Sequence, residues 1–301
     1  MVKISIITPT FERASCIETA VESVATQSFP AYEHIVIDGA SRDDTLKRLR
    51  RYTQLQIISE PDRGLYDAIN KGISRATGDV ICLLNSDDRL LPGALEAASA
   101  AFDRYPAAAS VCGRVRVGEL EFDANDVELG IPAMQRLRAG DLISGYLLTN
   151  GRFFRRMVFD RIGLFDQQFP VLADRDFLSR YFLADLDTLP IEHAVYRYGT
   201  HSDSLSFGSA LGRIEYNQEA IRLASVRLGQ AKSERHRKFY RRWLGWAVGY
   251  ALYRGLKEGS FSKVYEMSVQ ARSQLPLWPF EFVAQATWHV ATLGERRGGK
   301  I

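Results

Sequence analysis

The chain runs to 301 residues, 46% hydrophobic and 25% charged with 23 Gly and 10 Pro, which excludes collagen-like, low-complexity and largely disordered classes. That length suits one catalytic-size domain with an appendage. The formal charge of +3 conceals an asymmetry: residues 225–301 hold 14 Lys and Arg against 5 Asp and Glu, while the first 224 hold 25 against 31, so the two parts face different partners.

Three widely spaced cysteines, Cys16, Cys82 and Cys112, indicate neither a disulfide framework nor a zinc ribbon and suit a reduced, cytosolic protein. The apolar start Ile4-Ser5-Ile6-Ile7 meets Thr8-Pro9 too early for a signal peptide. The longest uncharged apolar run, Trp243 to Tyr253, falls short of the roughly 20 residues that span a bilayer.

In chain order, Lys3–Thr8, Glu33–Ile37, Leu55–Ser59, Asp79–Leu84 and Ser110–Val117 read as strands, with helices expected over 14–27, 43–51, 65–76 and 92–104. This alternation argues for a parallel sheet covered on both faces. Ser41 with Asp44 resembles a capping box, and Pro92 suits a first helical turn. Further on, a weaker strand is expected near Tyr146–Phe154, a helix from about Asp174 to Ala184 and a strand near Ala194–Tyr198. From Leu211 the pattern is helical almost without a break.

Ligands of open α/β sheets bind at the carboxyl ends of the strands. There the chain places Thr8-Pro9-Thr10-Phe11-Glu12, then Asp38-Gly39-Ala40-Ser41-Arg42-Asp43-Asp44, then Glu60-Pro61-Asp62-Arg63-Gly64, then Asn85-Ser86-Asp87-Asp88. Like charges about 4 Å apart repel by about 4 kcal/mol at an effective dielectric of 20, so such a crowd of carboxylates calls for a cation or donor ligands. Mg²⁺ or Mn²⁺ shared with substrate phosphates is the simplest answer. Each acid also has a structural reading: Asp38-Gly39 as a turn, Asp43 and Asp44 as helix caps, Asp87 or Asp88 as a helix opener. The first strand-to-helix turn has no glycine, which removes the dinucleotide fingerprint and the P-loop.

Taken with Leu65-Tyr66-Asp67-Ala68-Ile69-Asn70-Lys71-Gly72-Ile73 and Ala76-Thr77-Gly78-Asp79, this ordered set resembles family 2 glycosyltransferases of the GT-A fold over roughly the first 210 residues. The resemblance implies an α/β, Rossmann-like, mostly parallel sheet with helices on both faces and a C-terminal helical extension. Residues 1–210 then form the catalytic domain and residues 211–301 a helical, basic and aromatic region. It further implies that Thr8, Asp38 and Asp62 line the nucleobase pocket and that Pro9, Thr10, Glu12, Asp67 and Asn70 complete the nucleotide-sugar site. Asp87 would face the ribose or the metal, and Asp88 would bind Mn²⁺ or Mg²⁺. Two departures stand out. Many relatives have Asp where this chain has Asn85, and many have Arg at Ile69, whose absence leaves the phosphates to the cation and to Arg63 or Lys71.

Inverting transfer is a single displacement that needs one base, unlike glycoside hydrolysis with its two carboxylates. Val171-Leu172-Ala173-Asp174-Arg175-Asp176 resembles the family's acidic segment before a helix, which makes Asp174 the expected base, with Asp176 as fallback and helix capping as the alternative role. His201 is a candidate metal or phosphate contact in the loop that follows. In the tail, Arg235, Arg237, Lys238, Arg241 and Arg242 precede Trp243, Trp246, Tyr250 and Tyr253, a pattern that suits either an anionic membrane surface or ordinary helix packing. The expected activity is metal-dependent transfer from a nucleotide-sugar, UDP-linked by expectation, to a glycan or lipid-linked hydroxyl in surface-polysaccharide assembly. It would take place in the cytoplasm or at the inner membrane face, with no nucleic acid involved. A sugar nucleotidyltransferase and a non-catalytic sugar-nucleotide-binding subunit are the rivals.

Overall fold

The computed structural model describes residues 1–119, 127–129, 137–144, 149–200 and 214–258. In order they form β1 (Ile4–Thr10), α1 (Ile17–Ala25), β2 (Glu33–Asp38), α2 (Thr45–Leu49), β3 (Leu55–Ser59), α3 (Leu65–Arg75), β4 (Val80–Leu83), β5 (Arg89–Leu90) and α4 (Ala94–Arg104). There follow β6 (Ser110–Glu119), β7 (Val127–Leu129), α5 (Ala139–Ser144), β8 (Arg152–Arg155), α6 (Met157–Ile162), α7 (Ala173–Leu183), β9 (Thr188–Thr200), α8 (Ile214–Gln230) and α9 (Glu234–Glu258).

The strands make one sheet in the order β3-β2-β1-β4-β8-β6-β9-β5, with β7 on β6. Parallel ladders join β1 to β2 and β4, β2 to β3, and β6 to β9. Shorter antiparallel pairings tie β8 to β4 and β6, β5 to β9, and β7 to β6. Because β1 continues through α1 to β2 on one side and pairs with β4 on the other, the order reverses at β1, which opens a crevice at its carboxyl end.

One face of the first strands packs on α1 and α2 through Ile17, Val21, Val36 and Leu49, each aliphatic burial contributing about 2 kcal/mol. The other face takes α3, which lies so close that a β-carbon on Gly72 would collide with Ile7. Gly78 is equally constrained, since a β-carbon there would come within 2.8 Å of Lys3 O. Glu33 accepts from Ser5 Oγ and from the Thr77 and Gly78 amides, which pins the turn into β4.

Three local expectations change. Ser41 does not cap α2; its amide and hydroxyl bind Asp38, and the Thr45 amide takes Asp43 instead. Pro92 lies ahead of α4, whose cap is the left-handed Gly93. Strand β9 starts at Thr188, well before Ala194: Pro190 and Glu192 disguise its first half, and the ladder tolerates them because the register jumps from Pro190 to Ala194 opposite Cys112 to Arg114.

The chain divides into two compact units, residues Met1–Leu137 with Leu147–Ser204, and Arg138–Tyr146 with Leu205–Ile301. In the second, α9 packs along α8, and Phe239, Tyr240 and Trp243 are buried, with Tyr240 stacked on Trp243 at 6.2 Å. These aromatic rings serve a core; among the described tail aromatics Tyr253 is the exposed one, at 57%. Among the described residues no helix is long and apolar enough to cross a membrane.

Candidate active site

The turn after β2 is a latch. Asp38 is fully buried; its two oxygens accept from the Ser41 amide and hydroxyl and from Ser59 Oγ at 2.6 Å. Ala40 bends back with φ 63°, which brings Ser41 round to that carboxylate. Ser41 Oγ, Thr45 Oγ1 and Asp43 in turn receive the Glu12, Arg13 and Ala14 amides, fixing the loop that leaves β1. Thr8 is also fully buried and hydrogen-bonds His34 Nε2 at 2.9 Å beneath the site. Thr8 and Asp38 therefore form the floor of the crevice, with their oxygens engaged inside the protein. Pro9 is buried beside them, Glu12 is exposed at φ 51°, and Thr10 Oγ1 is buried without a hydrogen-bond partner at the end of β1.

Above that floor, Gly39 admits its neighbours. A β-carbon on Gly39 would sit 2.6 Å from Asp62 Oδ2 and 3.2 Å from the Phe11 ring, which is 54% exposed. Asp62 Oδ1 accepts the Gly64 amide at 2.9 Å. An exposed ring and a carboxylate thus meet over a bare backbone, an arrangement suited to stacking a base and accepting one of its N–H groups.

Asp67 and Asn70 have structural partners. Asp67 takes the Arg63 amide and guanidinium together with Lys71, interactions that outweigh burial and hold its pKa below the usual carboxylate value. Lys71 also binds Glu60 at 3.1 Å and Pro61 O at 2.8 Å, so both cations proposed for phosphate brace the 60–64 loop. Asn70 clamps Phe165 through both its amide atoms, 2.8 Å to the carbonyl and 3.0 Å from the backbone N–H.

At the end of β4, Asp88 is fully buried. Oδ2 accepts from Tyr196 OH at 2.6 Å and from the amides of Asn85 and Asn150, and Oδ1 accepts the Gly199 amide at 2.8 Å. Burial, then the charge of Asp87, raises its pKa, and these donors counter the shift. Asn85 is explained here: its side-chain amide donates to Asp88, where an Asp would repel it. Asp87 is only half-buried, so of the two acids it is the one open to the crevice. Cys16 lies near both, its pKa raised by burial and then by Asp87.

Helix α7, which bears the expected base, is linked to α3 by stacked rings. Phe177 of α7 stacks on Phe165 at 4.5 Å, and Phe165 on Tyr66 at 5.5 Å. Asp174 lies in the first turn of α7, half-buried, with the Arg175 amide 2.6 Å from Oδ1. Asp176 is fully buried and paired with Arg180 Nε at 2.8 Å, and Arg180 also donates to the carbonyls of Ile162 and Leu164. Asp176, the fallback base, is thereby engaged as a structural anchor. Sequence reasoning missed Tyr196, Asn150 and Gly199; Arg180, four residues after Asp176 on one helix, carried a readable pairing signal. His201 lies outside the described residues.

A half-exposed hard oxygen ligand, Asp87, fits a divalent cation that takes its remaining ligands from phosphate and water. Among the described residues no three His, Cys, Asp or Glu side chains converge.

The sheet order, the crevice at β1 and the acidic motif after β4 define a GT-A fold. Residues 5–163 match the profile described as Glycosyl transferase family 2, and the chain belongs to that family. It is 32% identical over 184 residues to a PGL/p-HBAD biosynthesis glycosyltransferase of Mycobacterium bovis, covering 59% of this chain and 69% of that protein. The fold matches S. aureus TarS 1-349 in complex with UDP-GlcNAc, with TM-score 0.67, 17% identity, and 89% and 79% of the two chains covered. It also matches the mannosyltransferase PcManGT of Pyrobaculum calidifontis in complex with GDP-Man and Mn²⁺, with TM-score 0.58, 16% identity, and 99% and 88% covered. Membership makes the chain a glycosyltransferase and displaces both the nucleotidyltransferase and the non-catalytic rival.

Proposed function

We propose that this glycosyltransferase moves a sugar from a UDP-sugar, with inversion, to a hydroxyl of a glycan or lipid-linked acceptor in surface-polysaccharide or glycolipid assembly. The observation that carries the donor assignment is the meeting of Phe11 and Asp62 over Gly39 at the reversal of strand order. Phe11 stacks on the base and Asp62 accepts a base N–H. A uridine donor and a glycolipid or polysaccharide product are supported by the names of the TarS complex and the mycobacterial relative.

Asp87, rather than Asp88, is assigned as the ligand of Mn²⁺ or Mg²⁺. Asp88 has both oxygens occupied and acts by joining β9 to the motif. When bound, the cation supplies Lewis-acid stabilisation of the charge on the leaving diphosphate. Asp174 takes the proton from the acceptor hydroxyl as its oxygen attacks the anomeric carbon, and the nucleoside diphosphate leaves from the opposite face. Catalysis is assigned to residues 1–210, and the helical region 211–301 is assigned a supporting part.

Purified protein with Mn²⁺ and a panel of nucleotide-sugars tests this reading. Donor hydrolysis is expected for a UDP-sugar and is lost in Asp87→Ala and Asp174→Ala. Turnover of a GDP-sugar alone, or turnover that survives both substitutions, refutes it.

A further inference from the structure

The residues assigned to the nucleobase and to proton transfer stand on separate elements, and one buried asparagine lies between those elements. Asp62 comes two residues before Gly64, the cap of α3, while Asp174 sits in the first turn of α7. Tyr66 and Asn70, four residues apart on α3, share a face of that helix. Both meet Phe165, which follows Asn70 by 95 positions. The Tyr66 ring stacks on it at 5.5 Å, and the Asn70 amide donates to its carbonyl at 2.8 Å and accepts its N–H at 3.0 Å. Serving both backbone groups of one residue takes a donor and an acceptor on one short side chain, which Asn supplies and an ionised Asp does not. The family resemblance puts Asn70 in the nucleotide-sugar site; the structure commits its side chain to the protein.

Phe165 passes this contact on. Its ring stacks on Phe177 at 4.5 Å, and Phe177 follows Asp174 by three residues, within one turn of α7. Phe177 is fully buried and also meets Phe159 at 5.3 Å and Phe154 edge-on at 5.5 Å. Those two rings seat α7 on β8 and α6, and Phe165 spaces it from α3. From α7, Arg180 donates to the carbonyls of Ile162 and Leu164, so the segment leading to Phe165 is held from both helices. Asn70 and Phe165 are themselves buried.

We propose that Asn70 is a positioning residue: through Phe165 and Phe177 it sets where Asp174 stands relative to a donor held at Asp62. The inference rests on the assignments of Asp174 and Asp62 made above. A catalytic group misplaced by about 1 Å costs on the order of 100-fold in rate, so loosening one clamp in this chain is expected to cost about 30-fold. The loss falls on kcat, because Asn70 acts on the placement of Asp174 and not on donor binding.

The test is a double-mutant cycle read by donor hydrolysis, in which water takes the acceptor's place, with UDP affinity measured calorimetrically beside it. Asn70→Ala is expected to lower kcat about 30-fold and to leave the Kd for UDP with Mn²⁺ within about twofold of wild type. In an Asp174→Asn background the same substitution is expected to cost less than about twofold, because a base that is absent cannot also be misplaced. Phe165→Leu keeps both backbone bonds to Asn70 and removes the stack; it is expected to give the same pattern and carries the test independently of how Asn70→Ala folds. UDP affinity weakened about fivefold or more in Asn70→Ala puts that side chain at the donor and overturns the proposal. So does an unchanged kcat in both variants, or a loss that persists in the Asp174→Asn background, which marks a general structural effect. Turnover by Asp174→Asn at the wild-type rate refutes the assignment of the base itself, and the proposal with it.

Discussion

Along β1 to β4, buried polar groups are tied to residues nearby in sequence or on the next strand: Asp38 binds Ser41 and Ser59, and Thr8 binds His34. Around β5, β8 and β9 the partners are far apart in the chain, Asp88 reaching Asn150, Tyr196 and Gly199, and Asn70 reaching Phe165. The first region is a scaffold that folds its own turns; the second is an assembly of long-range contacts that links α7 to α3. The fully buried carboxylates Asp38, Asp88 and Asp176 hold structure, and the proposed ligand and base roles fall on the half-buried Asp62, Asp87 and Asp174.

That division predicts opposite outcomes for two acids on one helix. Asp174→Asn should lower kcat by about 10³-fold and leave the melting temperature almost unchanged, because its carboxylate is half-exposed. Asp176→Asn should do the reverse, destabilising the fold by about 3 kcal/mol, because it leaves Arg180 without its charge partner in a buried setting. Folded Asp176→Asn should retain most of its kcat. Steady-state kinetics beside urea unfolding checks both, and a catalytic loss in Asp176→Asn at full folding breaks the division.

The scaffold side has its own signature, in pH. Burial pulls the His34 pKa from 6.5 down to about 4, so the folded protein keeps this ring neutral while the unfolded chain protonates it. Its stabilising contribution is complete above pH 6.5 and is lost as pH falls towards 4, by about 3 kcal/mol at the lower end. Asp67 and Glu33, whose pKa values are depressed, add their losses below about pH 4.5, where they overlap only the lower end of the His34 window. Asp88, whose pKa is raised, gives the opposite slope over this range, so the readout is a difference: urea unfolding from pH 7 to 5 should show wild type losing stability relative to His34→Asn.

The same contrast sets what the sequence reveals. Strands β1 to β4 and their helices were legible because their apolar runs and turn residues are local signals, and the acids at their ends marked the crevice. Roles within it were less legible. Asp88 matches the ligand motif by type and position, but its burial under four donors depends on Asn150, Tyr196 and Gly199, more than 60 positions away. Tyr196 sits in an apolar stretch of β9 that reads as core. Trp243 at helical spacing is likewise ambiguous between a membrane face and a core until its burial is known. Ion pairs within one helix, such as Asp176 with Arg180, remain readable from spacing.

The smallest expected effect probes the seam between floor and pocket. Gly39→Ala adds one carbon that must meet Asp62 Oδ2 at 2.6 Å and the Phe11 ring at 3.2 Å. Neither neighbour is locked: Phe11 is exposed, and Asp62 accepts a hydrogen bond from the Gly64 amide at 2.9 Å. Both can therefore swing aside at modest cost, and Asp38 below keeps its bonds to Ser41 and Ser59. The expected result is a donor KM raised about tenfold, equivalent to about 1.4 kcal/mol, with kcat and melting temperature near wild type. A base contact through Asp62 gives that split, since it acts in the ground state and the transition state alike. A fall in kcat at constant KM would instead place the Gly39 turn against the reacting sugar, and would move the base to another wall of the crevice.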